Sequence, residues 1–182
     1  MDRSSGLAET RTQSRVAGWA LIVGAVCFAS FWALAPTSLE APPWLPSLAV
    51  HATSIVSLAI GLGLLARGLL RSAPPQPVAT VGAFLAVIGS FAFLPLFPIG
   101  LGVIAVALVR TGYPRPAVAS LAIGSIAMLV VFVAQYLSAD GHLFGEGSPP
   151  FPLGLELGFQ ASVILVAVGL VAIGHQFRRR SE

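Results

Sequence analysis

Long apolar runs separated by short polar segments dominate the sequence. A run of about 20 residues forms an α-helix about 30 Å long, which equals the thickness of a bilayer's hydrocarbon core. The pattern therefore predicts transmembrane helices. The runs cover about Val16–Ala35, Ser47–Ala66, Val78–Val109, Ala117–Leu137 and Leu153–His175.

The run from Val78 to Val109 is too long for one ordinary span. As a single helix it would measure about 48 Å and need a tilt near 50° to fit the membrane. Pro95 and Pro98, followed by Gly100, lie near its middle, and each proline lacks the N–H that a continuous helix uses. Two helices over about 78–94 and 98–113, folded as a tight hairpin, fit better.

The arginines decide the number of spans. All ten basic residues are Arg, and they lie in small clusters between the apolar runs. With six spans and a cytoplasmic N-terminus, every Arg is cytoplasmic, whereas five spans would leave Arg110, Arg115 and the C-terminal cluster outside. We therefore predict an all-α integral membrane helical bundle of six transmembrane helices in the inner (plasma) membrane. It consists of a cytoplasmic tail (1–15), a six-span domain (16–175) and a basic cytoplasmic tail (176–182).

A cleavable signal peptide is the alternative interpretation of the first run. Ala33-Leu34-Ala35 resembles a signal-peptidase site. Against it, the run exceeds the usual apolar length of a signal peptide, and Pro36 would follow the cut. We therefore expect an uncleaved first helix.

Composition agrees with a membrane protein. The chain is 56% hydrophobic and only 9% charged, too few charges to cover a soluble domain. Its isoelectric point near 10.0 does not indicate nucleic-acid binding, because the arginines follow the spans and form no continuous basic face. Cys27, the single cysteine, lies within an apolar run and is interpreted as a packing residue.

Four polar side chains stand out inside the predicted spans, where polar groups are costly and often functional. Each falls in the outer third of the membrane, and Glu156 and Gln160 share one helix face. They predict an outward-facing polar cluster able to hold a proton, a cation or a small polar solute. The alternative is that each reaches interfacial water by itself, with Glu156 also favoured by the helix dipole. The four are His51, Gln135, Glu156 and Gln160.

Small residues at four-residue spacing allow helices to approach closely in lipid. The clearest set is Gly154, Gly158 and Ser162, and others are Ala25/Ala29/Ala33 and Gly82/Ala86/Ser90. Such a face serves either an oligomer or membrane partner, or packing within the monomer. Six helices need several internal contacts of this kind, which favours the second use.

Metal binding and catalysis find little support. His51, Asp140, His142 and Glu156 are possible ligands on the outer side, but no pair has the helical spacing of a metal site. No nucleophile motif or pair of acids accompanies the serines of the spans. We therefore expect no cofactor, no metal and no enzymatic activity.

The segment Leu94–Ala119, with Arg110-Thr-Gly-Tyr-Pro-Arg115 between two spans, resembles a type of small multi-pass bacterial membrane protein of uncharacterised function. The resemblance covers about two spans. It implies an α-helical multi-pass fold and assigns a role to no residue.

Two functional hypotheses follow. The first is a small non-enzymatic membrane protein with a packing, accessory or regulatory role, whose partners are the lipid bilayer and itself or a larger complex. The second is a small transporter or channel that uses the outward-facing polar cluster. A transporter should bring its polar side chains to an interior cavity, whereas an accessory protein should have a packed interior.

Overall fold

The chain is all-helical throughout the residues that the structure, a computed structural model, describes: 3–34, 45–72, 74–91, 95–138 and 153–179. These ranges contain six α-helices and no strand. The helices are α1 (Arg3–Leu34), α2 (Leu45–Leu70), α3 (Val78–Phe91), α4 (Leu96–Val109), α5 (Arg115–Ser138) and α6 (Leu153–Arg179).

Four helices are long and apolar enough to cross a membrane, as expected of a membrane protein. Their candidate spans contain 22, 23, 23 and 27 residues, against roughly 20 for one bilayer crossing. Helix α1 begins at Arg3, so most of the predicted N-terminal tail is a helical extension of the first span. The spans are Arg11–Trp32, Leu48–Leu70, Arg115–Leu137 and Leu153–Arg179.

Helices α3 and α4 form the predicted hairpin. Gly82 lies against Gly100 and Ile104, and Gly89 lies against Phe97, so the two helices run antiparallel. Each has 14 residues, about 21 Å, and is shorter than predicted. Helix α4 ends at Val109, and the turn that follows it contains Gly112 in a left-handed conformation, with φ 71°.

The helices pack as a closed ring. Helix α1 contacts α2 and α6, α5 contacts α6 and α4, and α2 contacts α3 and, over a smaller area, α4. Glycines lie where neighbouring helices approach most closely, which is how helices pack tightly without a hydrophobic driving force from lipid. Examples are Gly24 against Leu58, Gly18 against Gly174 and Gly124 against Val166.

Large apolar side chains fill the interior of this ring and also cover its outside. Phe28 of α1 reaches Phe97 of α4 across the bundle, with ring centroids 5.0 Å apart. On the outer surface Phe84 is 65% exposed and Ile126 is 63% exposed. Apolar surface of this extent around a bundle indicates contact with lipid. The largest fully buried apolar side chains are Leu21, Leu62, Leu65, Leu101, Ile104, Leu108, Leu121, Met128, Leu170 and Ile173.

The arginines of four chain segments meet at one end of the bundle. The N-terminal part of α1, the C-terminal end of α2, the α4–α5 turn and the C-terminal end of α6 surround one cleft there. Tyr113 of the turn stacks on Phe177 of α6 with centroids 6.4 Å apart. Arg178 lies 4.0 Å from the ring of Trp19, a cation–π contact between α6 and α1. This common placement agrees with the charge pattern of the sequence.

Candidate functional site

His51 is held among aromatic rings near the start of α2. Its imidazole stacks on Phe31 of α1 at 4.4 Å and meets Trp32 edge-on at 6.0 Å. The Nδ1 atom is buried and has no hydrogen-bond partner among the described residues. The ring is therefore fixed mainly by stacking, with one polar atom facing an apolar environment.

A small cavity adjoins His51. Its volume is about 20 Å³, enough for about one water molecule, and its lining includes Ser54, Ser90 and Phe97. Ser54 is buried and its hydroxyl donates to the Gly24 carbonyl at 3.1 Å, which ties α2 to α1. The Ser90 hydroxyl donates to the Val87 carbonyl at 2.6 Å. Both hydroxyl hydrogens are thus used within the protein, and the wall of the cavity is mainly apolar.

Gln135 and Glu156 occupy the same level of the α5–α6 pair. Close contacts of Gly169 with Leu121 and of Gly158 with Val131 set the antiparallel register of these helices. Continued to the helix ends, that register brings Gln135 level with the first turn of α6, where Glu156 lies. Gln135 is 1% exposed, whereas Glu156 is only partly buried.

Gln160 follows Glu156 by one helical turn and is also partly buried. It therefore shares the side of α6 that Glu156 occupies. Five helical turns further along α6, Gly174 and Arg178 occupy the same side and contact Gly18 of α1, so Glu156 and Gln160 lie on the side of α6 that faces α1, near the end of the bundle opposite the arginine clusters.

Trp32 lies between His51 and helix α6. Its ring contacts His51 on one side and Phe159 on the other, the latter at 5.6 Å. Phe159 in turn contacts Phe132 of α5 at 5.7 Å. Helix α1 lies between α2 and α6 in the ring, and the rings of Trp32, Phe159 and Phe132 form a continuous row from His51 to α5.

The small residues of α6 lie mainly against the protein's own helices. A Cβ on Gly158 would meet Val131 of α5 at 3.4 Å, and Ser162 is completely buried with its hydroxyl donating to the Phe159 carbonyl. Gly154 has no other heavy atom within 4 Å of such a Cβ. Packing within the monomer therefore uses two of the three positions.

Of the possible metal ligands, Asp140 and His142 lie outside the described residues. Within the described ranges, no three His, Cys, Asp or Glu side chains come together in a way that would hold a metal ion. Cys27 is partly buried and forms no disulfide.

A polar cleft lies at the other end of the bundle, and the sequence did not reveal it. Its volume is about 380 Å³, and it is lined by Arg67 of α2 and Arg71 just after α2, together with Gln13 of α1 and Thr111 of the α4–α5 turn. We interpreted these arginines only as topology signals. Their spacing of four residues indicates a shared face, but the segments that complete the cleft are far apart in the sequence.

The chain matches no protein-family model, no curated protein and no solved structure. A functional assignment therefore depends on the arrangement of its own residues.

Proposed function

We propose that this chain is a small non-enzymatic multi-pass membrane protein with a packing, accessory or regulatory role. The observation that carries the proposal is the filled interior of the helix ring. Large aliphatic and aromatic side chains from α1, α2, α4, α5 and α6 occupy it. A solute or ion crossing the membrane needs a polar or hydrated path, and a close-packed apolar interior offers none.

In the proposed topology, the protein lies in the plasma membrane and crosses it six times. Its N-terminus and its C-terminus are both cytoplasmic. An antiparallel α3–α4 hairpin supports this topology, because such a hairpin returns the chain to the side from which it started. The α2 end with Arg67 and Arg71 and the α5 start with Arg115 then share one side. Both 14-residue helices cross the membrane in this proposal, with local thinning of the bilayer or cover by neighbouring helices.

An accessory role implies association with a second copy of the chain or with a larger membrane complex. Apolar side chains facing lipid on every long helix offer surface for such contacts. Trp19, Val56, Ile126 and Leu157 are examples from four different helices.

The alternative is a small transporter or channel, and one observation favours it. Gln135 is almost completely buried at about the level of Glu156, the one acidic residue of the described spans. Buried polar side chains in membranes are rare and often belong to ion or proton pathways. In this alternative, Gln135, Glu156 and Gln160 form an outward-facing site for a proton, a cation or a small polar solute.

A flux measurement separates the two functions. The full chain is reconstituted in liposomes under an imposed gradient. Proton flux is followed with a pH-sensitive dye, and potassium flux with the same dye after a protonophore is added to allow proton counter-flow. We expect rates equal to those of empty liposomes, because the bundle interior has no hydrated path. Liposomes with gramicidin show that the assay detects flux.

Flux above that of empty liposomes would contradict the accessory role. If Gln135→Leu and Glu156→Gln then abolished it, while Gln176→Leu near the opposite end of α6 left it unchanged, the transporter function would replace the proposal. Gln176 is partly buried, as Glu156 is, and is therefore a suitable control.

A further inference from the structure

We propose that the cleft at the arginine-rich end of the bundle, here called the basic cleft, binds the phosphate-bearing headgroup of an anionic lipid. The basic cleft is lined by Gln13 and Ser14 of α1, by Arg67 near the end of α2 and Arg71 just after it, and by Thr111 and Tyr113 of the α4–α5 turn. The inference goes beyond the accessory function and does not depend on it, since either an accessory protein or a transporter can hold a specific lipid.

Charge is the first argument. Arg71 directly follows α2, and its backbone N–H donates to the Arg67 carbonyl at 3.3 Å, so the two arginines are one turn apart and both line the cleft. The described lining of the cleft contains no carboxylate, and neither arginine forms an ion pair within the described part of the chain. Two guanidinium groups with free donors suit a phosphate diester, whose oxygens accept paired hydrogen bonds from arginine.

Shape and polarity are the second argument. The volume of about 380 Å³ lies within the range of small-molecule sites. Part of the wall is apolar: it includes Leu64 and Leu69 of α2 and the stacked rings of Tyr113 and Phe177. A soluble anion gains nothing from such a wall, whereas a lipid places its glycerol and first acyl carbons there.

Position is the third argument. The basic cleft lies where the candidate spans of α1, α2 and α6 end, at the level of the headgroups of one leaflet. Anionic headgroups are concentrated on the cytoplasmic leaflet and attract basic residues next to spans. The ligand is thus already present at the mouth of the cleft.

Gly68 keeps the cleft open. It lies between the two arginines on α2, and a Cβ built there would come within 3.1 Å of the Phe177 ring. A larger side chain at this position would occupy the space next to Phe177 without changing any charge. A substitution of Gly68 therefore distinguishes binding in a shaped cleft from general attraction between arginines and a negatively charged surface.

The test is native mass spectrometry of the full chain, purified in mild detergent and mixed with equal amounts of phosphatidylglycerol and phosphatidylcholine. We expect preferential retention of phosphatidylglycerol. The double variant Arg67→Gln/Arg71→Gln should lower the ratio of bound phosphatidylglycerol to phosphatidylcholine about tenfold or more, as expected for lost charge-assisted hydrogen bonds. Gly68→Leu should lower it as well, with no change of charge.

The matched control is Arg110→Gln/Arg115→Gln, which removes two charges from exposed positions at the same end that do not line the cleft. We expect a change of less than about threefold, because neither of these arginines lines the cleft. Equal losses in both double variants, or no loss with Gly68→Leu, would overturn the proposal. Displacement of phosphatidylglycerol by excess inorganic phosphate would assign the cleft to a soluble anion instead, and its absence supports the lipid.

Discussion

Replacing Gly100 with Ala is expected to destabilise the folded bundle by about 1–3 kcal/mol, the usual cost of forcing extra volume into a packed contact. The added Cβ would meet the Ala86 backbone nitrogen and would lie 2.5 Å from the Gly82 carbonyl oxygen. These are backbone atoms of α3, so no side-chain rotation relieves the contact. The two helices of the hairpin must move apart.

Gly102, on the same helix, is the matched control. A Cβ there would have no other heavy atom within 4 Å. Gly102→Ala should be neutral or stabilising by up to about 1 kcal/mol, because alanine favours a helix more than glycine does. Unfolding by SDS in mixed micelles, followed by circular dichroism, measures both variants. Equal stability of the two would show that α3 and α4 do not pack through Gly100.

Phe97→Ala is expected to lower the free energy of unfolding by roughly 2–3 kcal/mol, near or below the lower end of values for soluble cores, because lipid already solvates the unfolded helices. Phe97 is 3% exposed and contacts Phe28 across the bundle. Its loss leaves a cavity that α1 and α4 can close only by shifting. The same SDS titration measures the effect.

Phe84 offers a control of the same residue type in the same hairpin. It is 65% exposed on the outer face of α3, where lipid replaces any contact that the ring loses. Phe84→Ala should change the free energy of unfolding by no more than about 0.5 kcal/mol. A loss as large as that of Phe97→Ala would mean that α3 buries the face described here as lipid-facing.

Most of the helical architecture could be predicted from the apolar runs. The runs placed helices at α2, α5 and α6 within a few residues, and Pro95 and Pro98 predicted the reversal between α3 and α4. The predicted ends of the helices were less accurate than their positions along the chain. Hydrophobicity reports the part of a helix that lies in lipid, so it could not show that α1 starts at Arg3.

The sequence predicts a depth for each candidate site residue but no lateral position. Counting residues from the end of a span predicts how deep His51 and Gln135 lie in the membrane. It does not give the order of helices around the ring, and α1 with Trp32 lies between α2 and α6. The basic cleft was missed for the same reason, since four distant segments meet to form it.

The central claim is a membrane bundle whose arginine-rich end is cytoplasmic and whose chain crosses the bilayer six times. Its direct test is labelling of single cysteines by a thiol reagent that does not cross the membrane, in a background with Cys27→Ser. The positions are Ser72, Gly112, Phe91 and Gly145. Ser72 and Gly112 flank the hairpin at the arginine-rich end, and Phe91 is exposed at the end of α3.

We expect Ser72→Cys and Gly112→Cys to be labelled only after the cells are opened, and Phe91→Cys and Gly145→Cys to be labelled in intact cells. Phe91 reports whether the short hairpin reaches the outer surface, and Gly145 reports the loop between α5 and α6. Labelling of Gly112→Cys in intact cells would contradict the six-span topology and, with it, the common cytoplasmic placement of the arginines.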